Sequence, residues 1–501
     1  MARCCLAGAA ATTPDKPALI VVTAIDGNEP AEIWTFAELE DAVLRIATGL
    51  RRNGLQPGDR LLIRLDNTPL YPIVFFGTLA AGIVPLPTSN ALTPTELEFL
   101  LLDSRASAIA LDDAFTEARL PAGVTRFEAA ELEALRRDCS RANWADTRAD
   151  DPGYLIYTSG TTSQPKGVLH AHRAAWGRRP MYQGWYGISP DDRMLHAGAF
   201  NWTYTLGTGL TDPWANGATA IIYAGEKRPE IWPVLIEKTG ATLFAAVPGL
   251  FRQILKYADT SPHYFTNLRH ALTAGETPPP GLFEDWCART GTELHEALGM
   301  SEISTYISTS PSVPRRPGTV GKPQPGRAVA ILPVESASET PLPTGEEGLI
   351  AVHRSDPGLM LGYWNRPDEE REVLRGDWFV GGDLGRIDAD GYVTHLGRAN
   401  DVMKAQGYRV APQEVEAALV AHQQISEVAC TELRVRDDLC VIAAFIVPSD
   451  WNAPPAADDI LAFAAERLAP YKCPREIRFV KSLPRTPNGK VMRSLLAAGK
   501  E

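Results

Sequence analysis

The chain contains 501 residues, 45% of them hydrophobic, and carries a formal net charge of −12 with a pI near 5.4. This length and apolar content allow a large core divided into about two to four domains or subdomains. The acidic balance argues against nucleic-acid binding, which favours a basic surface, and no apolar run reaches the ~20 residues that a membrane span needs.

The N-terminal segment Met1–Thr13 has a basic Arg3 followed by Ala and Leu residues. This is a weak, interrupted signal-peptide pattern, and a frayed terminus is the preferred interpretation. The seven cysteines are scattered and show no metal-ligand spacing. Reduced thiols in a cytoplasmic protein fit this pattern best.

Short apolar runs alternate with amphipathic helical patterns between about residues 18 and 330. This alternation predicts an α/β fold with parallel sheets covered by helices. The predicted strands are Ala18–Thr23, Arg60–Leu65, Tyr154–Tyr157, Arg193–Ala197, Thr219–Tyr223, Thr242–Val247 and Arg269–Leu272, and the predicted helices are Phe36–Asn53, Thr95–Asp103 and Pro229–Thr239.

Strands and turns dominate from about residue 330 to 397, where we expect a β-rich subdomain. An Asp-Ala-Asp-Gly turn at 388–391 indicates a hairpin between two of its strands. The predicted strands are Ala328–Pro333, Gly348–His353, Trp378–Phe379, Gly385–Asp388 and Tyr392–Leu396.

After Arg398 the pattern changes to helix Pro412–Ala421, strand Val441–Val447 and helix Ile460–Leu468. We therefore expect an N-terminal domain over 1–397, a linker or hinge over 398–400, and a small α+β C-terminal domain over 401–501.

The stretch Tyr157-Thr-Ser-Gly-Thr-Thr-Ser-Gln-Pro-Lys-Gly167 is rich in glycine and hydroxyl residues and ends near a lysine. Glycines allow close backbone approach, exposed N–H groups form an anion site, and Lys166 adds a charge. Because Lys166 precedes Gly167, this is not a Walker A loop. The stretch predicts a site for nucleotide phosphates; a flexible Ser/Thr-rich turn is the alternative.

Two further motifs carry carboxylates beside glycines. In Ala297-Leu-Gly-Met-Ser-Glu302, the Glu302 carboxylate suits Mg²⁺, although Ser301 and Glu302 could equally form a helix N-cap and first turn. In Gly381-Gly-Asp383, the aspartate could accept hydrogen bonds from two hydroxyls or sit in an ordinary turn. A third element, Thr273-Ala-Gly-Glu276, follows a predicted strand and could be a simple turn.

In this order, the motifs resemble those of the adenylate-forming superfamily: acyl-CoA synthetases, peptide-synthetase adenylation domains and firefly-type luciferases. The resemblance runs from about Pro14 to Leu495 and implies a large ATP- and acyl-binding domain followed by a small mobile domain. It implies a Mg²⁺ site on Glu302. The implied ATP and AMP contacts are Thr158, Ser159, Gly160, Thr161, Thr162, Lys166, Ala274, Gly275, Glu276, Leu298, Gly299, Met300, Ser301, Asp383 and Arg398.

The segment from Arg398 to Glu416 resembles the superfamily's linker and the start of its mobile domain. By this resemblance, Asn400 is the hinge residue, replacing the usual Asp or Lys, and asparagine tolerates unusual backbone angles. Lys404 would serve the second half-reaction, in which a thiol attacks the acyl-adenylate, and Gly407 would leave room for the pantetheine arm. The tail lysine Lys490 would match the adenylation lysine, although Asn-Gly-Lys could also be a solvated turn.

The aromatic stretch Phe200-Asn201-Trp202-Thr-Tyr204 lies where the superfamily lines its acyl pocket, and Thr273 and Gly299 would contribute to the same pocket. We expect the three aromatic rings to form a flat apolar wall, with plain core packing as the alternative. An aromatic or alicyclic monocarboxylic acid is the first choice of substrate, and a short- or medium-chain fatty acid is the second. Many members of the superfamily carry an aromatic ring at the position of Leu298, and an aliphatic residue there resembles the motif of benzoate-CoA ligases more closely.

The function implied is an ATP-dependent carboxylate:CoA ligase that uses ATP, Mg²⁺ and coenzyme A. The alternatives are a stand-alone adenylation enzyme that loads a carrier protein and a non-catalytic nucleotide-binding paralogue. Luciferase-like oxygenation has no positive support. A homodimer and a protein lysine acetyltransferase acting on Lys490 are further expected partners, the latter because Pro484–Lys490 resembles an acetylated motif of bacterial acyl-CoA synthetases.

Overall fold

The computed structural model describes residues 1–24, 32–112, 120–158, 165–279, 281–399, 403–405, 408–436, 439–485 and 491–497. Within these residues, no helix is long and apolar enough to cross a bilayer. The α-helices are α1 (Ala2–Thr12), α2 (Phe36–Arg52), α3 (Leu70–Ala80), α4 (Pro94–Ser104), α5 (Ala129–Asp138), α6 (Ala174–Gly177), α7 (Arg179–Met181), α8 (Thr203–Leu206), α9 (Asp212–Ala215), α10 (Ile231–Thr239), α11 (Pro248–Tyr257), α12 (Leu282–Thr290), α13 (Pro367–Glu372), α14 (Pro412–Val420), α15 (Ala457–Ala465) and α16 (Arg493–Ala497).

Apart from the region 378–388, the strands begin and end close to the predicted positions. They are β1 (Pro17–Val22), β2 (Glu32–Thr35), β3 (Arg60–Arg64), β4 (Val84–Pro87), β5 (Ala108–Leu111), β6 (Thr125–Glu128), β7 (Pro152–Thr158), β8 (Lys166–Ala171), β9 (Arg193–His196), β10 (Thr219–Tyr223), β11 (Leu243–Ala246), β12 (His270–Ala274), β13 (Glu293–Met300), β14 (Ser304–Ser308), β15 (Lys322–Pro323), β16 (Val329–Leu332), β17 (Gly348–His353), β18 (Gly362–Tyr363), β19 (Leu374–Arg375), β20 (Trp378–Ile387), β21 (Val393–Arg398), β22 (Met403–Ala405), β23 (Tyr408–Val410), β24 (Ile425–Arg436), β25 (Leu439–Pro448) and β26 (Glu476–Phe479).

The largest sheet has nine strands in the order β15-β14-β13-β12-β11-β9-β10-β1-β2. Its central strands from β13 to β1 are parallel, and the edge strands β14, β15 and β2 are antiparallel. A second sheet, β4-β3-β5-β6, is entirely parallel. These sheets confirm the predicted α/β class with parallel-rich sheets.

Two expectations about local structure are wrong. The segment expected to fray forms α1, which buries Ala2, Cys5 and Leu6 in the core because small and apolar side chains face the neighbouring helices. The two strands predicted at Trp378–Phe379 and Gly385–Asp388 are one strand, β20. Gly382 has φ +84°, a backbone angle that glycine adopts without strain, so the glycine pair did not interrupt the strand.

Helices α2 and α4 begin where the sequence places capping boxes. Thr35 and Thr93 accept hydrogen bonds from the backbone N–H groups of Glu38 and Glu96, whose carboxylates bond back to the capping residues. Helix α2 packs closely on α3, since a Cβ on Gly77 would lie 2.5 Å from Ile46 Cγ2. Helices α2 and α3 thus share one buried apolar cluster of the N-terminal region.

A further compact unit follows residue 410. Its sheet β24-β25-β26 is covered by α14 and α15 around a buried cluster that includes Val415, Leu419, Ile442 and Ile460. The predicted strand Val441–Val447 lies within β25, and the second predicted helix begins and ends a few residues earlier than expected. This unit has the α+β character predicted from the sequence.

Candidate active site

The carboxyl ends of four adjacent parallel strands meet at one edge of the large sheet. Strand β9 ends at His196, β11 at Ala246, β12 at Ala274, and β13 at Met300. Open α/β sheets bind ligands in the crevice outside the carboxyl ends of their strands. The candidate residues Ala274, Leu298, Gly299 and Met300 lie at the ends of two of these strands.

Thr158 and Lys166 face each other as a register pair at the ends of β7 and β8. Strand β7 is an edge strand of the sheet β18-β8-β7. The candidates Ser159, Gly160, Thr161 and Thr162 lie outside the described residues. Lys166 forms an ion pair with Glu369 of α13, and its Nζ lies 5.4 Å from the ring centroid of Tyr363.

Glu302 lies in the turn between β13 and β14, where it is held by the strap that contains β18. Tyr363 donates a hydrogen bond from its hydroxyl to Glu302 Oε1 at 2.7 Å, and the Met360 N–H donates to the Glu302 carbonyl at 2.7 Å. Burial, followed by the neighbouring Glu302 charge, raises the pKa of Tyr363 well above its ordinary value. Tyr363 therefore remains a donor at neutral pH.

The interpretation of Ser301 as a helix N-cap is wrong, because the chain turns directly into β14. The Ser301 carbonyl instead lies 2.7 Å from His170 Nε2, and the His170 ring stacks on Tyr154 at a centroid distance of 4.6 Å. Burial lowers the pKa of His170 to about 4, so the ring is neutral and donates to the carbonyl from Nε2. This contact supports the turn that carries Glu302.

The residues present fit a Mg²⁺ ion bound through one carboxylate. The structure records no protein partner for Glu302 Oε2 among the residues that it describes, and Oε1 is oriented by Tyr363. In the same part of the chain, no group of three or more His, Cys, Asp or Glu side chains could hold a metal ion. Mg²⁺ commonly binds one or two carboxylates and completes its shell with water and substrate phosphates.

Asp383 and Arg398 are directly opposite each other on the antiparallel strands β20 and β21. Arg398 Nε lies 3.1 Å from Asp383 Oδ1, and Arg398 Nη1 donates to the Gly381 carbonyl at 2.5 Å. His395, which the sequence analysis missed, also contacts Asp383 Oδ1, at 3.0 Å from Nε2. Asp383 is only 3% exposed. Arg398 and His395 therefore hold its buried carboxylate in a fixed position.

Two glycines at the sheet edge allow close contacts that a larger residue would prevent. Gly275 has φ +100°, and a Cβ there would lie 2.9 Å from Trp202 Cη2. Gly299 adjoins β14 so closely that a Cβ would lie 2.6 Å from the Ser304 carbonyl oxygen. Leu298 packs with the cluster that also contains Met300, whose sulfur lies against Gly381. These contacts join the Gly275, Gly299 and Asp383 segments along one edge.

The expected flat wall of three aromatic rings is wrong. Trp202 and Tyr204 are perpendicular, with an interplanar angle of 88° and centroids 5.3 Å apart. Phe200 belongs to a different buried cluster, where its ring packs against Tyr71 at 5.5 Å, and its backbone N–H donates to Asn67 Oδ1. Asn201, which separates Phe200 from Trp202 in the sequence, is half-buried. The aromatic surface is therefore a corner formed by two rings.

Thr273 is not on the side of the sheet that Tyr204 occupies. Leu272 and Ala274 share a buried cluster with Tyr204, whereas Ala271 belongs to the cluster on the opposite face. Since successive strand residues alternate between faces, Thr273 points with Ala271 and away from the aromatic corner. Glu276, one position beyond Gly275, is half-buried at the rim.

His196, to which no role was assigned from the sequence, also lies at the corner. Its ring lies 4.5 Å from Tyr204, edge to face, and its Nδ1 accepts a hydrogen bond from the Gly198 N–H at 2.9 Å. Its Nε2 is buried without a partner in the described part of the chain. Burial lowers the pKa of His196 to about 3, so the ring is neutral and its Nε2–H is an available donor.

The candidates in the C-terminal region are only partly described. Asn400, Gly407 and Lys490 lie outside the described residues. Lys404 lies in β22, which pairs with β23, and its side chain is outside the described part. Cys4, Cys5, Cys139, Cys287, Cys430 and Cys473 are free thiols.

Comparison with known proteins gives two family matches that together cover most of the chain. Residues 6–364 match the family "AMP-binding enzyme", and residues 414–490 match "AMP-binding enzyme C-terminal domain". A 3-hydroxybenzoate–CoA ligase from Aromatoleum sp. (strain CIB) is 30% identical over 93% of this chain and 92% of that enzyme. A benzoate–CoA ligase from Thauera aromatica is 31% identical over 93% of this chain and 90% of that enzyme.

A solved enzyme, MatB from Rhodopseudomonas palustris, is similar in two states. The ATP-bound form superposes with a TM-score of 0.90 at 27% identity, covering 100% of this chain and 99% of that chain. The apo form superposes with a TM-score of 0.81 at 26% identity, covering 99% and 98%. The chain belongs to the AMP-binding enzyme family, within the acyl-CoA synthetases of the adenylate-forming superfamily.

Proposed function

We propose that this chain couples ATP cleavage to thioester formation between an aromatic carboxylic acid and coenzyme A. The observation that carries the proposal is the single edge on which Glu302, Asp383, Arg398 and the Trp202–Tyr204 corner lie together. On that edge, Glu302 would serve a metal and phosphates, Asp383 and Arg398 would serve a ribose, and the aromatic corner would serve an apolar group. An activated acyl-adenylate needs all three.

In the first half-reaction, a carboxylate oxygen of the acid attacks the α-phosphorus of ATP. A new P–O bond forms, the bond to the β-phosphate breaks, and pyrophosphate leaves. This step requires alignment and charge neutralisation rather than a general acid or base. Lys166 is the candidate for the departing phosphates, and Asp383 with Arg398 would hold the ribose. Mg²⁺ on Glu302 would reduce the charge on the phosphate oxygens.

In the second half-reaction, the thiol of coenzyme A attacks the acyl carbon and AMP leaves with the electrons of the C–O bond. By its resemblance to the superfamily, the C-terminal unit turns between the two steps. Lys490 would serve the adenylation step, and the segment with Lys404 and Gly407 would face the site in the thioester step around Asn400. Each step would then use a different face of one small unit.

The substrate class is inferred from the shape and polarity of the corner. Trp202 and Tyr204 present two perpendicular rings, and the residues Ala274 and Ala297 in the same cluster are small. An edge-to-face arrangement suits a third, planar aromatic ring. The two relatives named for benzoate and hydroxybenzoate support an aromatic monocarboxylic acid. A short- or medium-chain fatty acid is the second candidate.

The experiment that tests the proposal is turnover of the purified chain with ATP, Mg²⁺ and coenzyme A across a panel of acids. Benzoate and hydroxybenzoates should give AMP, pyrophosphate and acyl-CoA in equal amounts and exceed hexanoate, succinate and phenylalanine. Preference for a dicarboxylate or an amino acid would contradict the substrate class. Thioester formation only on an added carrier protein would identify the chain as a stand-alone adenylation enzyme, and absence of pyrophosphate release would indicate a non-catalytic paralogue.

Acetylation of Lys490 by a protein lysine acetyltransferase remains part of the proposal. The ε-amine would displace coenzyme A from acetyl-CoA, and the lost positive charge would block adenylation. Mass spectrometry that finds Lys490 unmodified after incubation with a bacterial protein acetyltransferase and acetyl-CoA would count against it. A homodimer and a cytoplasmic location stay predictions from the sequence.

A further inference from the structure

Glu427 of β24 joins the two family-matched parts of the chain. Arg252 of α11 donates from Nη2 to Glu427 Oε1 at 2.8 Å, and Arg485 donates from Nη2 to Glu427 Oε2 at 2.9 Å. Arg252 lies in the AMP-binding match at 6–364, whereas Glu427 and Arg485 lie in the C-terminal match at 414–490. One carboxylate thus receives an arginine from each part.

The environment of Glu427 favours its charged form. Burial alone would raise the pKa of Glu427, but the hydrogen bonds and charges of Arg252 and Arg485 outweigh burial and hold the pKa below its ordinary value. The Glu427 side chain is 21% exposed, and that of Arg252 is 47% exposed. The contact between the two parts is therefore charged at neutral pH and accessible to salt.

Arg252 is located where it can orient the C-terminal unit over the active-site edge. Helix α11 begins immediately after β11, whose carboxyl end forms part of that edge. At the start of the helix, a Cβ on Gly249 would lie 3.9 Å from Glu276 Oε2 at the rim. A unit held on this helix is consequently held beside the adenylate site.

The structure that contains the Arg252–Glu427 contact is more similar to the ATP-bound form of MatB than to its apo form. The chain superposes better on the ATP-bound form of MatB than on its apo form, at nearly equal identity and coverage. By whole-chain superposition, the structure thus resembles the ATP-bound state, which precedes pyrophosphate release, more than the apo state. If the C-terminal unit turns for the thioester step, Glu427 must leave Arg252 while Arg485 travels with it.

We propose that Arg252 is a positioning residue that, through Glu427, holds the C-terminal unit in the orientation for adenylation and not for thioester formation. This inference rests on the proposed function, since it assigns the contact to one of its two half-reactions. Removing the Arg252 guanidinium should slow acyl-adenylate formation selectively. The contact with Arg485 stays intact in that variant, so the C-terminal unit keeps its own internal bond.

The test compares Arg252→Met with Arg252→Lys and with the control Lys256→Met. Lys256 lies on the same helix, and its Nζ lies over the ring of Tyr257 at 5.1 Å, so its loss changes the charge without touching Glu427. Acyl-adenylate formation is measured as ATP–pyrophosphate exchange with benzoate, and thioester formation as single turnover of supplied benzoyl-AMP with coenzyme A. For a partly exposed ion pair of up to about 1 kcal/mol, Arg252→Met should slow the exchange about 2- to 5-fold.

The expected result is slower exchange in Arg252→Met, unchanged thioester formation, and recovery of more than half the loss in Arg252→Lys. At about 1 M salt, which screens exposed charges, the wild type should approach the methionine variant. Equal slowing of both half-reactions, an unchanged exchange rate, or the same loss in Lys256→Met would overturn the inference. A wild type without either half-reaction would instead refute the proposed function, and the inference with it.

Discussion

Tyr363 donates a hydrogen bond across 2.7 Å to Glu302, the carboxylate proposed to hold Mg²⁺. The two residues come from distant parts of the chain and meet because β18 pairs with β8, beside the turn that carries Glu302. The same tyrosine ring lies beneath Lys166. One side chain thereby links the metal candidate to the phosphate candidate.

Tyr363→Phe should weaken adenylation without altering the fold. Hydrogen bonds to charged groups contribute about 1.5–3 kcal/mol, so we expect the rate of pyrophosphate release to fall about tenfold at limiting Mg²⁺. Higher Mg²⁺ should restore part of the rate, because the untethered Glu302 can still bind the ion. The measurement is initial rate against Mg²⁺ concentration.

The matched control for this prediction is Tyr392→Phe, which removes a hydroxyl that donates to the Pro314 carbonyl at 3.0 Å, away from Glu302. It should leave the Mg²⁺ dependence unchanged. Identical Mg²⁺ curves for Tyr363→Phe and the wild type would show that the hydrogen bond does not orient the metal ligand.

Glu369→Gln should strengthen ATP binding. In the structure Lys166 is paired with Glu369, and this ion pair must open if Lys166 is to contact phosphates. Since partly exposed pairs contribute up to about 1 kcal/mol, the KM for ATP should fall about 2- to 5-fold with little change in kcat. Glu372→Gln, on the same helix but exposed, is the control. A raised KM in Glu369→Gln would mean that Glu369 supports the ATP-bound state instead.

Trp202→Ala should reduce discrimination in favour of aromatic acids. Burial of an aromatic face contributes about 1.5–3 kcal/mol, and without the ring the KM for benzoate should rise at least about tenfold. The KM for hexanoate should change less, since a flexible chain depends less on ring contacts. Trp176→Ala removes an exposed tryptophan and provides the control. Equal changes for both acids would remove Trp202 from the acyl pocket.

The neighbourhood of Asp383 and Arg398 was predictable because it is local in the chain. Both residues were proposed from their resemblance to superfamily motifs, and the hairpin turn between them places them opposite each other. His395 was missed because its contact depends on a register shift between Leu384 and Gly385, which no spacing rule reveals. Tyr363 and Glu369 were missed because they reach the site only through the long-range pairing of β18 with β8.

Two of the wrong expectations share one physical cause. Ser301 followed by Glu302 satisfies the pattern of a helix start, but pairing of β14 with β13 outweighs that local preference. Phe200 belongs to the same aromatic string as Trp202, yet its ring packs against Tyr71 in another cluster. Tertiary contacts decide such cases, and a sequence shows only the local term.

Glu296 provides a prediction about pH that is independent of function. Burial raises the pKa of this carboxyl to about 8, from an ordinary value near 4.5. Between these values the folded protein binds a proton that the unfolded chain has released, so stability falls as pH rises, by up to about 1.4 kcal/mol per pH unit. Glu296→Gln should remove this slope, because the amide does not ionise.

The measurement is the free energy of unfolding of both proteins between pH 5 and 8.5 by chemical denaturation. The buried histidines affect both proteins equally, so the difference between them isolates Glu296. The variant should gain stability over the wild type steadily as pH rises. A constant difference across the range would show that Glu296 is ionised in the folded state throughout.

The central claim is that one site performs two half-reactions with different faces of the C-terminal unit, and Lys490→Ala tests it most directly. The variant should lose pyrophosphate release from ATP and benzoate by at least about 100-fold, because the positive charge proposed for the α-phosphate is gone. It should still convert supplied benzoyl-AMP and coenzyme A into benzoyl-CoA at close to the wild-type rate. Equal loss of both half-reactions would contradict the account.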